Sequence, residues 1–342
     1  MKQKAVLDIL EVSNRPMGLP EILLRSQGVG VQVPERTLRR WLVTWSGTGR
    51  LRRTGQKRGT KYRWVNFEQP TGEELEFTQH HPPAKRKVLL SQLRDLWTYS
   101  SLALAGVNQE LDNGDSPTLA DTHAILELGI SIDEKSDFVH ELIRGHARAI
   151  ELLYGLVNAP LSELAFFELH TAINGGAPIQ ADLEAADYPP IGGWKLEPNY
   201  LSSVTSNGDA VLIEYAAPGH VSALMQSLIS VINGVDLNQI SLDNAHMVYA
   251  QVHLGIAHIA PFGAANGRIA RLVSNILLLK AGLPPLLIDQ NRRREYLELL
   301  ADYQSQLGQL TEDTGIWPDD GAIVPFAKYC RECYAKTIQM FE

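Results

Sequence analysis

Cysteine is nearly absent from this 342-residue chain, which has only Cys330 and Cys333. Two thiols make no disulfide framework, so a hydrophobic core has to hold the fold, and such usage fits a reducing, cytoplasmic setting. Their CxxC spacing has neither a second pair of ligands nor a strand before it, and it reads as two ordinary thiols on a helix. No stretch of eighteen apolar residues occurs, which argues against a membrane span and a membrane partner. The opening MKQKAVLDILEV mixes charge into its apolar pattern and does not read as a secretory leader. Charge is distributed unevenly. Residues 1–64 carry 14 Lys or Arg against Asp8, Glu11, Glu21 and Glu35, a net +10, whereas the remainder carries −18 and the whole chain −8. A basic head on an acidic body implies that only the head meets a polyanion. Apolar residues, by contrast, are plentiful: 44% against 20% charged is a soluble globular balance, over a length that allows two or three domains.

The stretch VYAQVHLGIAHIAPFGAANGRIARLVSNILLLKAGLPPLLI, residues 248–288, organises the rest. Val248, Val252, Ile256 and Ile259 recur three to four apart, which predicts a helix that stops before Pro261, where proline removes a donor and restricts its predecessor. The loop PFGAANG follows, and a second apolar helix runs from Arg268 until Gly282, Pro284 and Pro285 close it. Asn266, Gly267 and Arg268 therefore sit where a loop becomes a helix N-terminus. Free backbone N–H groups and the positive end of the helix dipole suit such a place to an anion. Arg268 and Arg271, three apart on the first turn, add charge-assisted donors for phosphate oxygens. The alternative is a buried helix whose two arginines reach the surface.

HIAPFGAANGRIAR resembles the signature of Fic-domain proteins: His, Pro, Phe, a free position, Asp or Glu, Gly or Ala, Asn-Gly-Arg, two free positions and a second Arg. Pro261, Phe262, Ala265, Asn266, Gly267, Arg268 and Arg271 fit, as do His253 ahead of it, Asn275 in the next helix and the AGLPP exit. Ala260 stands at the histidine and Ala264 at the acid. The resemblance implies transfer of AMP from ATP to a Ser, Thr or Tyr hydroxyl of a protein, the chain itself included. In that family the histidine is the general base and the acid holds Mg2+ on the phosphates. Asn and Gly line the anion hole, and the first Arg clamps the phosphates. The nucleotide set implied here is Phe262, Ala265, Asn266, Gly267, Arg268 and Arg271. A hydroxyl is a poor nucleophile without a positioned base, and charge developing on phosphorus needs a cation and fixed donors. Alanine supplies neither, so the chain is expected to bind nucleotide weakly, with Mg2+ binding weakened by Ala264, and to transfer it extremely slowly. His258 does not replace the base, since two residues upstream on a helix it is turned by about 200° from position 260.

Lys87 to Gly106 reads as a further helix. Many Fic proteins carry an inhibitory helix with Ser or Thr, three residues, Glu, then Gly or Asn, whose glutamate pairs with the second Arg of the signature. Ser101, Ala105 and Gly106 are similar to it, with Ala105 at the glutamate, which implies that Arg271 is left unlocked. An apolar helix ending at Gly106 explains the same residues. Alanine at all three positions, beside an intact Asn266 and Arg268, reads as substitution in an otherwise competent sequence; a naturally silent relative is the alternative.

The basic head reads as helices over Lys4–Val12, from Pro20 and from Pro34, then a hairpin in RLRRTGQKRGTKYRWV. That order resembles a winged helix, which implies DNA binding with Arg36, Arg39 and Arg40 in the major groove and Lys57, Arg58 and Lys61 on phosphates. A winged helix used for protein contact or dimerisation is the alternative. Residues 66–86 hold prolines and acids with little periodicity and read as a linker, with His80 and His81 as loop residues. His140, Arg144 and Arg148 mark the solvated face of a helix, and His170 reads as a structural histidine bridging helices. The Asn207-Gly208 turn predicts a hairpin, which in Fic proteins clamps a target segment as an added strand; a surface hairpin without a ligand is the alternative. Arg292, Arg293 and Arg294 read as facing solvent or the acidic body.

The expected fold is mainly α. A winged helix-turn-helix domain over 1–66 and a linker over 67–87 precede a Fic helical core over 88–310, with its inhibitory helix near 88–106 and a β-hairpin flap near 199–216. A helical segment over 311–342 follows. The expected function is a Fic-type protein adenylyltransferase using ATP and Mg2+, silenced at Ala260 and Ala264. The alternative is a DNA-binding regulator with a non-catalytic nucleotide-sensing core, and a homodimer is a further expected partner.

Overall fold

The computed structural model describes residues 2–13, 17–47, 51–54, 60–64, 75–106, 117–174 and 192–341. They fall into two units, Met1–Gln69 and Pro70–Glu342.

In the first unit α1 (Lys2–Ser13), α2 (Leu19–Gly28) and α3 (Glu35–Gly47) pack around Val6, Leu10, Ile22, Leu38 and Leu42, all fully buried. Strands β1 (Met17–Gly18), β2 (Leu51–Thr54) and β3 (Lys61–Trp64) form an antiparallel sheet in the order β1-β3-β2, with Met17 opposite Tyr62 and Leu51 opposite Trp64. Side chains alternate along a strand, and Met17, Leu51 and Tyr62 are the ones that join the helices in the core. Arg36, Arg39, Arg40 and Lys61 are exposed, and Arg39 is paired with Glu35 one turn earlier at 2.6 Å. Lys57 and Arg58 lie outside the described residues.

The second unit is mainly helical. A 3-10 turn (Glu76–Thr78) leads to α4 (Pro83–Leu104), α5 (Leu119–Glu127), α6 (Asp137–Gly155) and α7 (Glu163–Asn174). The hairpin β4 (Tyr200–Val204) and β5 (Ala210–Glu214) follows, then α8 (Pro218–Gly234), α9 (Ala245–Ile259), α10 (Asn266–Val273), α11 (Ile276–Lys280), α12 (Arg293–Leu307) and α13 (Val324–Ile338). Polar caps set several starts: Thr118 and Asp121 form a capping box on α5, and Ser136 caps α6. α9 is the axis of the unit. Its Val252, Ile256 and Ile259 enter one buried cluster with α7, α8 and α10, while Tyr249, Ala250 and Leu254 enter another with α12 and α13. A helix apolar on nearly every side is one surrounded on every side.

Three expectations need correction. The linker does not extend past residue 74: Leu75 and Phe77 are buried in the core, Phe77 meets Phe341 edge-on at 5.2 Å, and α4 begins at Pro83. Two apolar residues two apart are too few to display a period among prolines and acids. The segment 311–342 is helical only from Asp320 onward. His140 is buried, not solvated; its Nε2 accepts from the Ile132 N–H at 3.0 Å and its Nδ1–H donates to the Ser136 carbonyl at 2.8 Å, so the preceding loop replaces water as its partner. Cys330 and Cys333 are buried on α13, and burial pushes both thiols up, away from the reactive thiolate. Among the described residues no helix is long and apolar enough to cross a membrane.

Candidate functional site

α9 stops because Pro261 cannot continue it, and Ala260 caps it in the left-handed conformation, φ 46°. Ala265, which caps α10, is left-handed as well, φ 65°. Among the described residues these are the two non-glycine positions with positive φ, and each costs an L-residue roughly 1–2 kcal/mol. A turn strained at two alanines has to be held by bonds from elsewhere.

Asn266 closes the turn from within: its Oδ1 accepts from the Phe262 N–H at 2.8 Å and its Nδ2 donates to the Phe262 carbonyl at 2.7 Å. From the stem of the hairpin, Asn199 donates to the same carbonyl at 3.1 Å and the Lys195 N–H to the Pro261 carbonyl at 2.9 Å. The buried Lys195 amine donates to Asn199 at 2.6 Å and to the Ile259 carbonyl at 3.4 Å, and burial draws it down to about 8. From α7, His170 stacks on Phe262 with centroids 4.0 Å apart. Its Nε2–H donates to the Ala264 carbonyl at 3.3 Å and its Nδ1 accepts from the Gly192 N–H at 3.1 Å. Burial, opposed by the bond to Ala264 and helped by the Arg268 charge, pulls this imidazole down to about 4. It stays neutral, as one donor and one acceptor nitrogen require. His170 thus joins the turn to a loop, not helix to helix.

Arg268 donates to the Ile173 carbonyl at 3.4 Å and to Asn174 at 3.1 Å, at the end of α7. Arg271 does not reach the surface. Its Nε donates to Ser101 Oγ at 3.1 Å, its Nη2 to the Ser101 carbonyl at 2.6 Å and its Nη1 to the Tyr296 hydroxyl at 3.1 Å. That hydroxyl donates in turn to His253 Nε2 at 3.1 Å, and His253 is the neutral acceptor because burial, and then the Arg271 charge, push it well down. Gly267 makes the room, since a Cβ there would lie 3.2 Å from Arg271 Nη1. The serine of the helix that carries Ala105 holds Arg271, with Tyr296, and among the described residues no carboxylate meets it.

These residues wall a cavity of 650 Å³, within the range of small-molecule sites. Residues 264–268 and Arg271 line it, with Leu104 and Ala105 from the end of α4, residues 201–203 and Ile213 from the hairpin, and Arg293, Tyr296, Leu297 and Leu300 from α12. Three arginines and, among the described residues, no Asp, Glu or His face it.

Residues 160–278 match the family model described as Fic/DOC family. The chain carries a Fic domain. It is similar to the protein adenylyltransferase Fic of Drosophila mojavensis, 26% identical over 230 residues, which is 67% of this chain and 39% of that protein. The Drosophila persimilis protein of the same name is 28% identical over 236 residues, 67% and 38% of the two chains. The match thus spans about two fifths of these relatives. Among solved structures, a Fic domain containing signaling protein from Bacteroides thetaiotaomicron aligns with a TM-score of 0.62 at 24% identity, over 77% of this chain and 91% of its own. Fic-1 from C. elegans aligns with a TM-score of 0.53 at 21% identity, over 77% and 66%. The shared fold reaches well beyond the matched domain.

In this Fic domain the two departures from the signature sit differently. Ala260 is 1% exposed and does not line the cavity, whereas Ala264 is exposed and does. His258 points elsewhere, donating Nε2–H to the Gly308 carbonyl at 2.7 Å, and burial draws it down to about 4. Mg2+ binding is expected to be weakened by Ala264; among the described residues no carboxylate lines the cavity, and no group of three His, Cys, Asp or Glu that could hold a metal occurs. Phe262 is fully buried under His170 and Trp194, so it shapes the turn and does not contact a ligand. Asn266, with both side-chain atoms on Phe262, braces the same turn and also lines the cavity. Sequence reasoning missed Lys195, Asn199, Tyr296 and Arg293. The available signal was the spacing of Arg293 and Tyr296, three apart on one helix face.

Proposed function

We propose that this chain binds ATP in the cavity in front of α10 and is built as a Fic-type adenylyltransferase, which moves AMP to a protein hydroxyl, with the transfer step silenced at Ala260 and Ala264. The observation that carries this reading is a braced turn, strained at two alanines, that turns a helix N-terminus and Arg268 toward a cavity that no acidic group lines among the described residues. Fixed donors of this kind stabilise phosphate charge without having to reorganise. Leu201, Ile213, Leu297 and Leu300 give the same cavity an apolar part suited to a base. Among the described residues no His, Asp or Glu that could accept a proton from an incoming hydroxyl faces it, and His170, His253 and His258 are all engaged outside the cavity. A positioned base is worth about 10²–10⁴-fold, and the transfer step is slowed accordingly.

A second reading rests on the first unit. Its exposed Arg36, Arg39 and Arg40 on α3 and Lys61 on β3 favour a winged helix that contacts DNA, with the Fic domain acting as a nucleotide sensor in a cytoplasmic regulator. One experiment separates the two. The chain and its Ala260→His, Ala264→Asp double variant are incubated with ATP labelled on the α-phosphate. Label on protein with the double variant and none with the unsubstituted chain is the expected outcome. A double variant that binds ATP and DNA yet labels nothing would remove the enzyme reading and leave the regulator.

A further inference from the structure

The cavity has a third arginine that the signature does not supply. Arg293 opens α12, and its Nε donates to the Leu104 carbonyl at 3.1 Å. Its Nη2 lies so close over the chain that a Cβ at Gly106 would come within 2.9 Å of it. The flanking arginines are engaged with carboxylates: Arg292 with Glu295 at 2.6 Å and Glu332 at 2.8 Å, Arg294 with Glu298 at 2.7 Å. Among the described residues Arg293 pairs with no carboxylate; it turns the other way, into the cavity.

Arg271 and Arg293 thus share one kind of partner, carbonyls in the last turn of α4. The C-terminus of a helix carries only about half a negative charge, a partial counterpart for two guanidinium groups. Arg268 lines the same cavity, so three guanidinium groups face it, and among the described residues no carboxylate does. Three arginines on one cavity suit a polyanion, and among the described residues no carboxylate stands beside them to hold a metal ion. Arg293 still has its two terminal nitrogens for a planar, two-pronged bond to phosphate oxygens, a geometry that lysine lacks.

We propose that Arg293 is a phosphate-binding residue of this cavity, and that Arg268, Arg271 and Arg293 together offset the triphosphate charge that a protein-held metal ion would otherwise offset. This rests on the nucleotide reading above. Titration calorimetry of the whole chain with ATP, AMP and inorganic tripolyphosphate, each in EDTA and in excess magnesium, tests it. ATP and tripolyphosphate are expected to bind at least as tightly in EDTA as in magnesium. Arg293→Gln is expected to weaken both roughly tenfold and AMP less than twofold, with Arg293→Lys recovering part of the loss. Binding that requires magnesium overturns the proposal on the unsubstituted chain alone, whatever the variants do. So does an Arg293→Gln chain, shown folded by its melting curve, that binds ATP and tripolyphosphate unchanged or loses AMP equally. ATP binding that ignores Arg293 sinks this inference and spares the nucleotide reading. Arginine-dependent tripolyphosphate binding with no affinity for ATP does the reverse, and a chain that binds neither loses both.

Discussion

Two parts of the cavity wall are built by opposite rules. The turn from Ala260 to Arg268 is strained at two alanines and held by Asn266, Asn199, Lys195 and His170 from three stretches of chain. The hairpin from Tyr200 to Glu214 has regular pairing, closes on its own Thr205 and Asp209, and exposes Tyr200, Leu201, Val204 and Leu212. Donors that meet a charge act only if they are already in place, so the strain in the turn is offset by many bonds. A strand offered to a polypeptide gains more from open edges and unburied apolar side chains than from rigidity. The same cavity therefore has one wall held by bonds from distant stretches of chain and one held by its own strand pairing.

The sharpest way to break this contrast is Phe262→Ala. Phe262 is fully buried, stacked on His170, and its backbone takes both Asn266 bonds. Urea unfolding should show a loss of about 3–5 kcal/mol, with nucleotide binding lost as well. A loss under about 1 kcal/mol means that the turn is not what the surrounding groups hold.

Acid provides a smaller effect. Burial holds His170 and His258 at about 4 in the folded chain, below the roughly 6.5 of an unfolded histidine. The unfolded chain therefore takes up protons first. The stability each contributes is fully present above about pH 6.5, is lost as pH falls toward 4, and levels off below that, with a slope of up to about 1.4 kcal/mol per pH unit for each. His170→Gln should unfold with a shallower dependence over that window. An unchanged slope in urea midpoints taken from pH 7 to 4 counts against a neutral His170 as the brace of Ala264.

At the other end of the scale stands Leu212→Ser on the hairpin. Leu212 is 63% exposed, and its loss should move stability by no more than about 0.5 kcal/mol and leave ATP affinity unchanged. A cost near that of Phe262→Ala would erase the difference between the two walls.

Much of this contrast was legible along the chain. Pro261 and Gly282 punctuate their helices locally, and the Asn207-Gly208 pair marks the hairpin, because proline and glycine act through their own backbone. Other features were not legible. The helix after the turn breaks at Ser274 and Asn275, where Asn275 bonds both backbone groups of Leu286 at 2.7 and 3.1 Å. Nothing in IARLVSNILLLK announces a partner eleven residues on. Arg292, Arg293 and Arg294 look alike in sequence, yet the helix rotates each by about 100° from the last, so only the middle one faces the cavity.

The sequence by itself determined that the helix before Pro261 stops there, that a loop opens onto a helix N-terminus at Asn266, and that alanine occupies positions 260 and 264. Those are matters of local backbone preference and of side-chain identity. Only the tertiary structure decided which charges meet. Arg271 finds Ser101 across 170 residues and Tyr296 across 25, and Arg293 finds Leu104 across 189. Such meetings depend on how α4, α10 and α12 cross, to within the few tenths of an ångström that a hydrogen bond tolerates, and no local preference encodes that.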